Sequence, residues 1–124
     1  MRKHPDVRTA DPNYNRRACQ VVNDPQFPLQ WHYASINLPQ AWGVTTGSPD
    51  VVVAVIDTGV LSAHPDLQGR LTAGFDFISN AAIAGDGDGI DDDPEDPGDQ
   101  ATGGSSFHGT HVIGTVAAQT NNFL

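Results

Sequence analysis

The strongest constraint on the fold is the run VVVAVI at residues 51–56, an unbroken series of β-branched and small apolar residues. Such a run is typical of a strand buried on both faces, as in a parallel sheet with helices on each side. It ends at the turn sequence DTG, and ordered sequence resumes at HGTHVIGTVAAQ, residues 108–119, whose small residues predict a closely packed helix. A strand followed by a long connecting segment and a helix predicts an α/β fold class.

The remaining segments have weaker patterns. Residues 1–30 are polar, contain four prolines and predict extended chain or linker. The stretch SINLPQAWGV at residues 35–44 shows a short helical pattern around its proline, and residues 79–106, rich in Asp, Gly and Ser, predict a long loop.

Composition excludes several classes of protein. The 124 residues suffice for one domain, and their net charge of -9 disfavours nucleic acid, because the chain repels phosphate. The sequence has no apolar run of membrane-spanning length, and its first residues lack the apolar core of a secretory signal peptide. Cys19 is the single cysteine, so no intrachain disulfide can form.

Two residues stand out as chemical candidates. Asp57 directly follows the predicted strand, and working residues of open α/β sheets cluster at such carboxyl ends, although an aspartate there can also simply cap the next turn. His108 opens the predicted helix, and an imidazole held by a carboxylate becomes a competent general base. A zinc site at His108 and His111 is the metal alternative, but Gly and Thr stand where the H-E-x-x-H pattern needs its glutamate. The other histidines are expected to be structural: His4, His32 and His64.

The stretch VVVAVIDTGVLSAHPDL followed by HGTHVIGTVAA resembles the subtilisin-like serine proteases, the subtilases, which share this order of Asp and His. The resemblance implies a partial subtilase fold, with a mainly parallel sheet flanked by helices and incomplete in this chain. It implies that Asp57 orients His108, that His108 takes a proton from a serine nucleophile, and that His111 is structural. No G-T-S serine or oxyanion-hole asparagine follows, and Ser105 and Ser106 lack that setting, so we expect the chain to be inactive alone.

The N-terminal sequence extends the resemblance. RKHPDVRTADPNY is similar to the end of a subtilase inhibitory propeptide, and NDPQFPLQWHYASINLPQAW to the start of a mature catalytic domain. The resemblance implies that residues 1–22 are the end of a propeptide or a linker and that residues 23–124 are the N-terminal portion of the catalytic domain. A maturation cut is expected between about Asn13 and Asp24, unless the segment is an arm that is never cut.

An Asp-rich insertion occupies residues 85–99, which hold eight acidic residues and no basic one. Acidic residues that alternate with glycines, at Asp86 and Asp88, are typical of calcium loops, although a solvated acidic run is the alternative. Some secreted bacterial subtilases carry a similar calcium-binding insertion, and that resemblance implies ligands among Asp86, Asp88, Asp91, Asp93 and Asp96. Asp76 is a weaker candidate.

A second calcium site is implied by resemblance to thermitase-like subtilases. Its ligands would be Asp24, Asp66 and Asn122, completed by the backbone carbonyls of Gln119 and Leu124. Asp66 could instead merely cap a turn.

These expectations describe a secreted, extracellular, calcium-dependent serine endopeptidase that acts on polypeptide substrates, with no nucleic-acid or membrane partner. Its remaining partner is the C-terminal part of the catalytic domain, without which the half sheet would expose a strand edge and the isolated chain would fold poorly or associate. The alternatives are a non-enzymatic calcium-binding fragment or protease relic, and a metallohydrolase that uses the two histidines of the predicted helix.

Overall fold

The computed structural model describes residues 21–98 and 105–124. These residues form two compact units: residues 21 and 30–48 make the first, and residues 22–29, 49–98 and 105–124 make the second. Most of the expected propeptide segment and the single cysteine lie outside the described residues, as do residues 99–104.

The first unit holds two short helices, α1 (Trp31–Ser35) and α2 (Leu38–Trp42). Asn37 joins them in the left-handed conformation, at φ 61°, which asparagine tolerates better than most residues. Pro39 lies in the first turn of α2, where its missing N–H removes no helical hydrogen bond. Tyr33 is buried and its ring centroid lies 5.9 Å from that of Trp42, so one aromatic contact closes this helical pair.

The second unit contains two 3-10 turns and two α-helices: Phe27–Leu29, Pro65–Leu67, α3 (Ala81–Ala84) and α4 (His108–Ala117). Helix α4 confirms the predicted helix, ending two residues before its expected limit. It packs against the Pro65–Leu67 turn, whose Leu67 is the most buried side chain among the described residues, at 2% exposure.

Helix α3 corrects the prediction of a continuous loop over residues 79–106. The Asn80 carboxamide oxygen accepts the Ala82 N–H at 3.0 Å, and Gly85 ends the turn at φ 86°. An N-cap asparagine before apolar residues and a left-handed glycine after them are the signals of a short helix. The loop prediction was therefore wrong over residues 81–84.

The predicted parallel sheet is not confirmed. The described residues form two isolated bridges, a parallel one between Val60 and Glu95 and an antiparallel one between Asp76 and Asp91. The run at residues 51–56 forms no bridge within the described chain, and most of its large side chains are exposed: Val51, Val52, Val53 and Ile56. A strand is defined by a neighbour that pairs with its N–H and C=O groups, and the described residues supply none here.

The parallel bridge nevertheless matters for the site. The Val60 N–H donates to the Pro94 carbonyl at 2.9 Å, and the Asp96 N–H donates to the Val60 carbonyl at 3.0 Å. These bonds fix the end of the acidic insertion against the turn that follows the apolar run.

None of the helices in the described residues has the length and apolar character that a membrane span requires.

Candidate active site

Asp57 and His108 are in direct contact. Nδ1 of His108 lies 2.8 Å from Oδ1 and 2.9 Å from Oδ2 of Asp57. An ionised carboxylate can only accept, so Nδ1 carries the shared proton and Nε2 of the neutral ring keeps a free lone pair. The Asp57 side chain is 17% exposed and that of His108 is 64% exposed, so the ring is fixed on one edge and open on the other.

The carboxylate of Asp57 is held in its ionised form. Its hydrogen bond with His108 lowers its pKa, and the Thr58 N–H, which donates to Oδ1 at 2.8 Å, lowers it further. The turn that directly follows Asp57 thus supplies a backbone donor to its carboxylate. Asp57 is therefore in the charge state in which a carboxylate orients an imidazole.

Close backbone packing positions the histidine. Gly109, buried in the first turn of α4, lies so near the DTG turn that an added Cβ would overlap the Gly59 carbonyl oxygen and lie 3.2 Å from the Asp57 Cβ. Gly59 adopts φ +103°, a conformation that favours glycine. The Thr110 hydroxyl accepts the Leu61 N–H at 2.9 Å, which adds a second connection between α4 and this turn.

His111, which the family resemblance implies is structural, is exposed. Within the described residues, one group of three or more acidic or histidine side chains is close enough to share a metal ion, and it contains neither histidine of α4. The geometry therefore gives the zinc alternative no support.

That group is Asp86, Asp88 and Asp91, whose ligand oxygens lie within 4.8 Å of one another. The hydrogen bond and negative charge of Asp91 raise the pKa of Asp88, and Asp86 adds to the effect. Crowded carboxylates of this kind repel one another unless a proton or a cation lies between them. Three of the five residues expected in the insertion are thus brought together.

The other two expected ligands of the insertion, and Asp76, lie outside the group. Asp93 accepts the Glu95 N–H at 3.0 Å, and Asp76 accepts the Ile78 N–H at 2.7 Å. Asp96 is buried at 5% exposure, and its oxygens accept from the Thr58 hydroxyl and the Gly98 N–H. The sequence could not reveal this difference, because the bridge that buries Asp96 joins distant segments.

The second expected set, Asp24, Asp66 and Asn122, is also gathered. Asp24 accepts hydrogen bonds from four donors of one loop: Thr120 Oγ1 (3.2 Å), Asn121 N (2.8 Å), Asn122 N (3.0 Å) and Phe123 N (3.0 Å). Of these bonds, that of the Asn121 N–H does most to lower the pKa of Asp24. Asn122 Nδ2 donates to Asp66 Oδ1 at 2.7 Å, so one loop connects both carboxylates.

The alternative role of Asp66 is not what the geometry shows. In the Pro65–Leu67 turn, the capping atom is Nδ1 of His64, which accepts the Asp66 N–H at 3.2 Å. The Asp66 carbonyl accepts the Gln119 N–H at 2.9 Å. His64 is thereby assigned a structural contact, as expected.

Comparison with known proteins identifies the family of the chain. A sequence model described as the subtilase family matches residues 48–123, more than half of the chain. The chain belongs to the subtilase family. That match includes both residues of the Asp57–His108 pair, the acidic insertion and most of the described C-terminal loop.

Two relatives and one solved structure show how much of a subtilase is present. The chain is 42% identical to an extracellular protease of Xanthomonas campestris, over 95% of this chain and 22% of that protein. It is 39% identical to thermitase of Thermoactinomyces vulgaris, over 81% of this chain and 29% of that protein. A solved protease structure from Pseudoalteromonas arctica is 49% identical, covers 83% of this chain and 34% of its own, and gives a TM-score of 0.75. This likeness supports the α/β fold, and the chain spans about a fifth to a third of the length of these proteins.

Proposed function

We propose that this chain is the N-terminal portion of the catalytic domain of a calcium-dependent serine endopeptidase. The contact between His108 Nδ1 and the Asp57 carboxylate carries the proposal, because it leaves Nε2 as the basic atom on an exposed edge. An imidazole in this state can take the proton of a serine hydroxyl as that hydroxyl attacks a peptide carbonyl, and can return it to the leaving amine. Asp57 would stabilise the imidazolium that forms between these steps.

The nucleophile would come from the rest of the protein. Ser105 is partly buried, Ser106 is exposed, and both directly precede the helix that carries His108 rather than standing in a G-T-S motif. We infer that the partner of this chain is the C-terminal part of the catalytic domain. The exposed apolar run at residues 51–56 supports that inference, because such a run is stable only when neighbouring strands and helices cover it.

We also propose the domain division expected from the sequence, with residues 1–22 ending a propeptide and residues 23–124 beginning the catalytic domain. The contacts of Asp24 with the loop at residues 120–123 support a boundary just before it, since they attach this aspartate to the catalytic unit. The earlier segment makes this a zymogen in the proposal.

Calcium is proposed at two places. The carboxylates of Asp86, Asp88 and Asp91 are hard oxygen ligands in mutual repulsion, and a divalent cation would neutralise their charge. The set Asp24, Asp66 and Asn122 is the second site, and it would need the Asn122 carboxamide to turn its oxygen toward the ion. When bound, calcium would supply charge neutralisation and loop rigidity, and take no part in the proton transfers.

Substrate class and location follow from the relatives. Proteases of Xanthomonas campestris and Dichelobacter nodosus that resemble this chain are named as extracellular, which supports polypeptide substrates and a secreted protein. The net charge of -9 gives no support to a nucleic-acid partner.

A hybrid protein tests the proposal. Residues 1–124 are joined to the part of the Xanthomonas campestris protease that lies beyond the matched region, and hydrolysis of casein is measured in calcium. We expect activity that His108→Ala abolishes and that His111→Ala, the matched control in the same helix, leaves within about twofold. Calcium binding without any casein hydrolysis would contradict the proposal and favour the non-enzymatic alternative.

A further inference from the structure

Asp96 is a buried carboxylate outside the catalytic pair. It is 5% exposed, and within the described residues no basic side chain forms an ion pair with it. Its Oδ2 accepts the Thr58 hydroxyl at 2.9 Å, and its Oδ1 accepts the Gly98 N–H at 2.8 Å. A buried charge is costly unless donors compensate it, so these two bonds fix where the carboxylate lies.

The Thr58 hydroxyl is directed by that carboxylate. A hydroxyl has a single hydrogen, and an ionised carboxylate can only accept, so the hydrogen of Thr58 must face Asp96. The oxygen lone pairs are then free to accept the Gly109 N–H at 3.0 Å. Asp96 therefore decides which way the Thr58 side chain presents its acceptor.

The Gly109 N–H belongs to the first turn of α4, where N–H groups have no partner within the helix. Phe107, the N-cap residue, forms no side-chain capping bond. The Thr58 hydroxyl caps the helix instead, although Thr58 lies 51 residues from Gly109 in the sequence. The capped N–H is that of the residue directly after His108. The negative charge of Asp96 behind the hydroxyl also suits a helix N-terminus.

Thr58 thus contacts both sides of the catalytic pair. Its backbone N–H donates to Asp57 Oδ1 at 2.8 Å, while its hydroxyl binds the first turn of the helix that carries His108. The bridge between Val60 and the end of the acidic insertion holds Asp96 in place beneath it. A displacement of the insertion would therefore be transmitted to the catalytic histidine.

We propose that Asp96 is a positioning residue for the catalytic pair, which fixes His108 against Asp57 through the hydroxyl of Thr58. This inference rests on the proposed endopeptidase function. It also assigns Asp96 a role other than calcium ligation.

The hybrid protease tests this role with shape-conserving variants. Asp96→Asn removes the negative charge, and with its carboxamide oxygen on the Gly98 N–H it turns an N–H toward the Thr58 oxygen, so the Thr58 hydroxyl hydrogen loses its acceptor. Thr58→Val removes the hydroxyl without changing the size of the side chain. A misplacement on the order of 1 Å costs up to about 100-fold in rate, so we expect each variant to lower kcat by about tenfold or more and to leave KM within about twofold.

Two controls separate positioning from general stability. Thr58→Ser keeps the hydroxyl and should restore kcat to within about threefold of the unmodified hybrid. Asp92→Asn makes the same charge change at an exposed position of the same insertion and should leave kcat unchanged. The double variant Asp96→Asn with Thr58→Val should lose little more than either single variant, because both remove one connection.

A second measurement needs no catalysis. In the hybrid protein, the proton on His108 Nδ1 is observed by NMR, where its bond with Asp57 should give a resonance far downfield. Thr58→Val and Asp96→Asn should broaden this resonance or move it upfield, and Thr58→Ser should not.

The outcomes are distinguishable. An unmodified hybrid without activity refutes the endopeptidase proposal, while the NMR comparison still judges the positioning role. The positioning role alone is overturned if Asp96→Asn and Thr58→Val leave both kcat and the Nδ1 proton resonance unchanged. It is also overturned if Asp92→Asn lowers kcat as much as they do. If Asp96→Asn does not fold, the comparison of Thr58→Val with Thr58→Ser decides.

Discussion

Replacing Gly109 with alanine should separate helix stability from active-site geometry. An added methyl group there would overlap the Gly59 carbonyl oxygen and lie 3.2 Å from both the Gly59 nitrogen and the Asp57 Cβ. These are backbone atoms or atoms of the catalytic pair, so none can rotate away. Helix α4 must therefore move away from the DTG turn, and His108 moves with it.

The size of the effect follows from two opposed contributions. Alanine improves helix propensity over glycine by up to about 1 kcal/mol, whereas overpacking in a close contact costs about 1–3 kcal/mol. We expect the clash to dominate, with a net loss of up to about 2 kcal/mol in the free energy of unfolding. Because a shift on the order of 1 Å can cost about 100-fold in rate, kcat of the hybrid should fall far more than stability does.

Gly114→Ala is the matched control, since it lies in the same helix and an added Cβ meets nothing within 4 Å. Urea denaturation of the hybrid protein, followed by circular dichroism, should show this variant to be as stable as the unmodified hybrid or up to about 1 kcal/mol more stable, with unchanged kcat. A Gly109→Ala variant that matches Gly114→Ala in both measurements would refute the close approach of α4 to the catalytic turn.

Three further substitutions test the site and its surroundings. Asp57→Asn should lower kcat of the hybrid by on the order of 10⁴-fold with little change in KM, measured by steady-state hydrolysis. The reason is that a carboxamide stabilises neither the imidazolium nor its orientation. A loss below about tenfold would contradict the role of Asp57 in orienting His108. Asp88→Asn should weaken calcium binding measured by calorimetry. In the unmodified chain, the raised pKa of Asp88 means that its carboxylate takes up a proton, and calcium affinity is lost, at a higher pH than for an isolated aspartate. A calcium affinity that responds neither to the substitution nor to pH would place the ion elsewhere. Asp24→Asn should lower the melting temperature measured in the presence of a chelator. The lowered pKa of Asp24 contributes stability that is present above the pKa of the unfolded state and is lost as the pH falls through the pKa of the folded state, so the stability of the variant should depend less on pH in the acid range. An identical dependence of stability on pH would contradict the contacts with Asn121 and its neighbours.

The contact between Asp57 and His108 could be predicted because each residue has a signal that is local in the sequence, while their catalytic role stays a prediction. An aspartate at the end of an apolar run and a histidine at the start of a helix each carry their own signal, and the family resemblance joined them. The set Asp24, Asp66 and Asn122 was anticipated in the same way, and its members are in contact. Their role in binding calcium stays a prediction.

What the sequence could not predict depends on contacts between distant segments. Apolar runs indicate strands only if partners exist to pair with them, and residues 51–56 have none within the described chain. The acidic insertion looked uniform, yet the bridge between Val60 and Glu95 buries Asp96 while leaving Asp86 and Asp88 exposed. Short helix α3, in contrast, begins at an N-cap asparagine, Asn80, which is a sequence signal that the loop prediction did not use.

The most direct test of the account is whether His108 activates a serine. The rate at which a fluorophosphonate labels the hybrid protein reports that activation, because the reagent reacts with a serine whose proton is removed by a nearby base. We expect rapid labelling at one serine beyond residue 124, slowed at least 10³-fold by His108→Ala and unaffected by His111→Ala. Labelling that proceeds equally fast without the His108 imidazole would contradict the assignment of Asp57 and His108 as a catalytic pair.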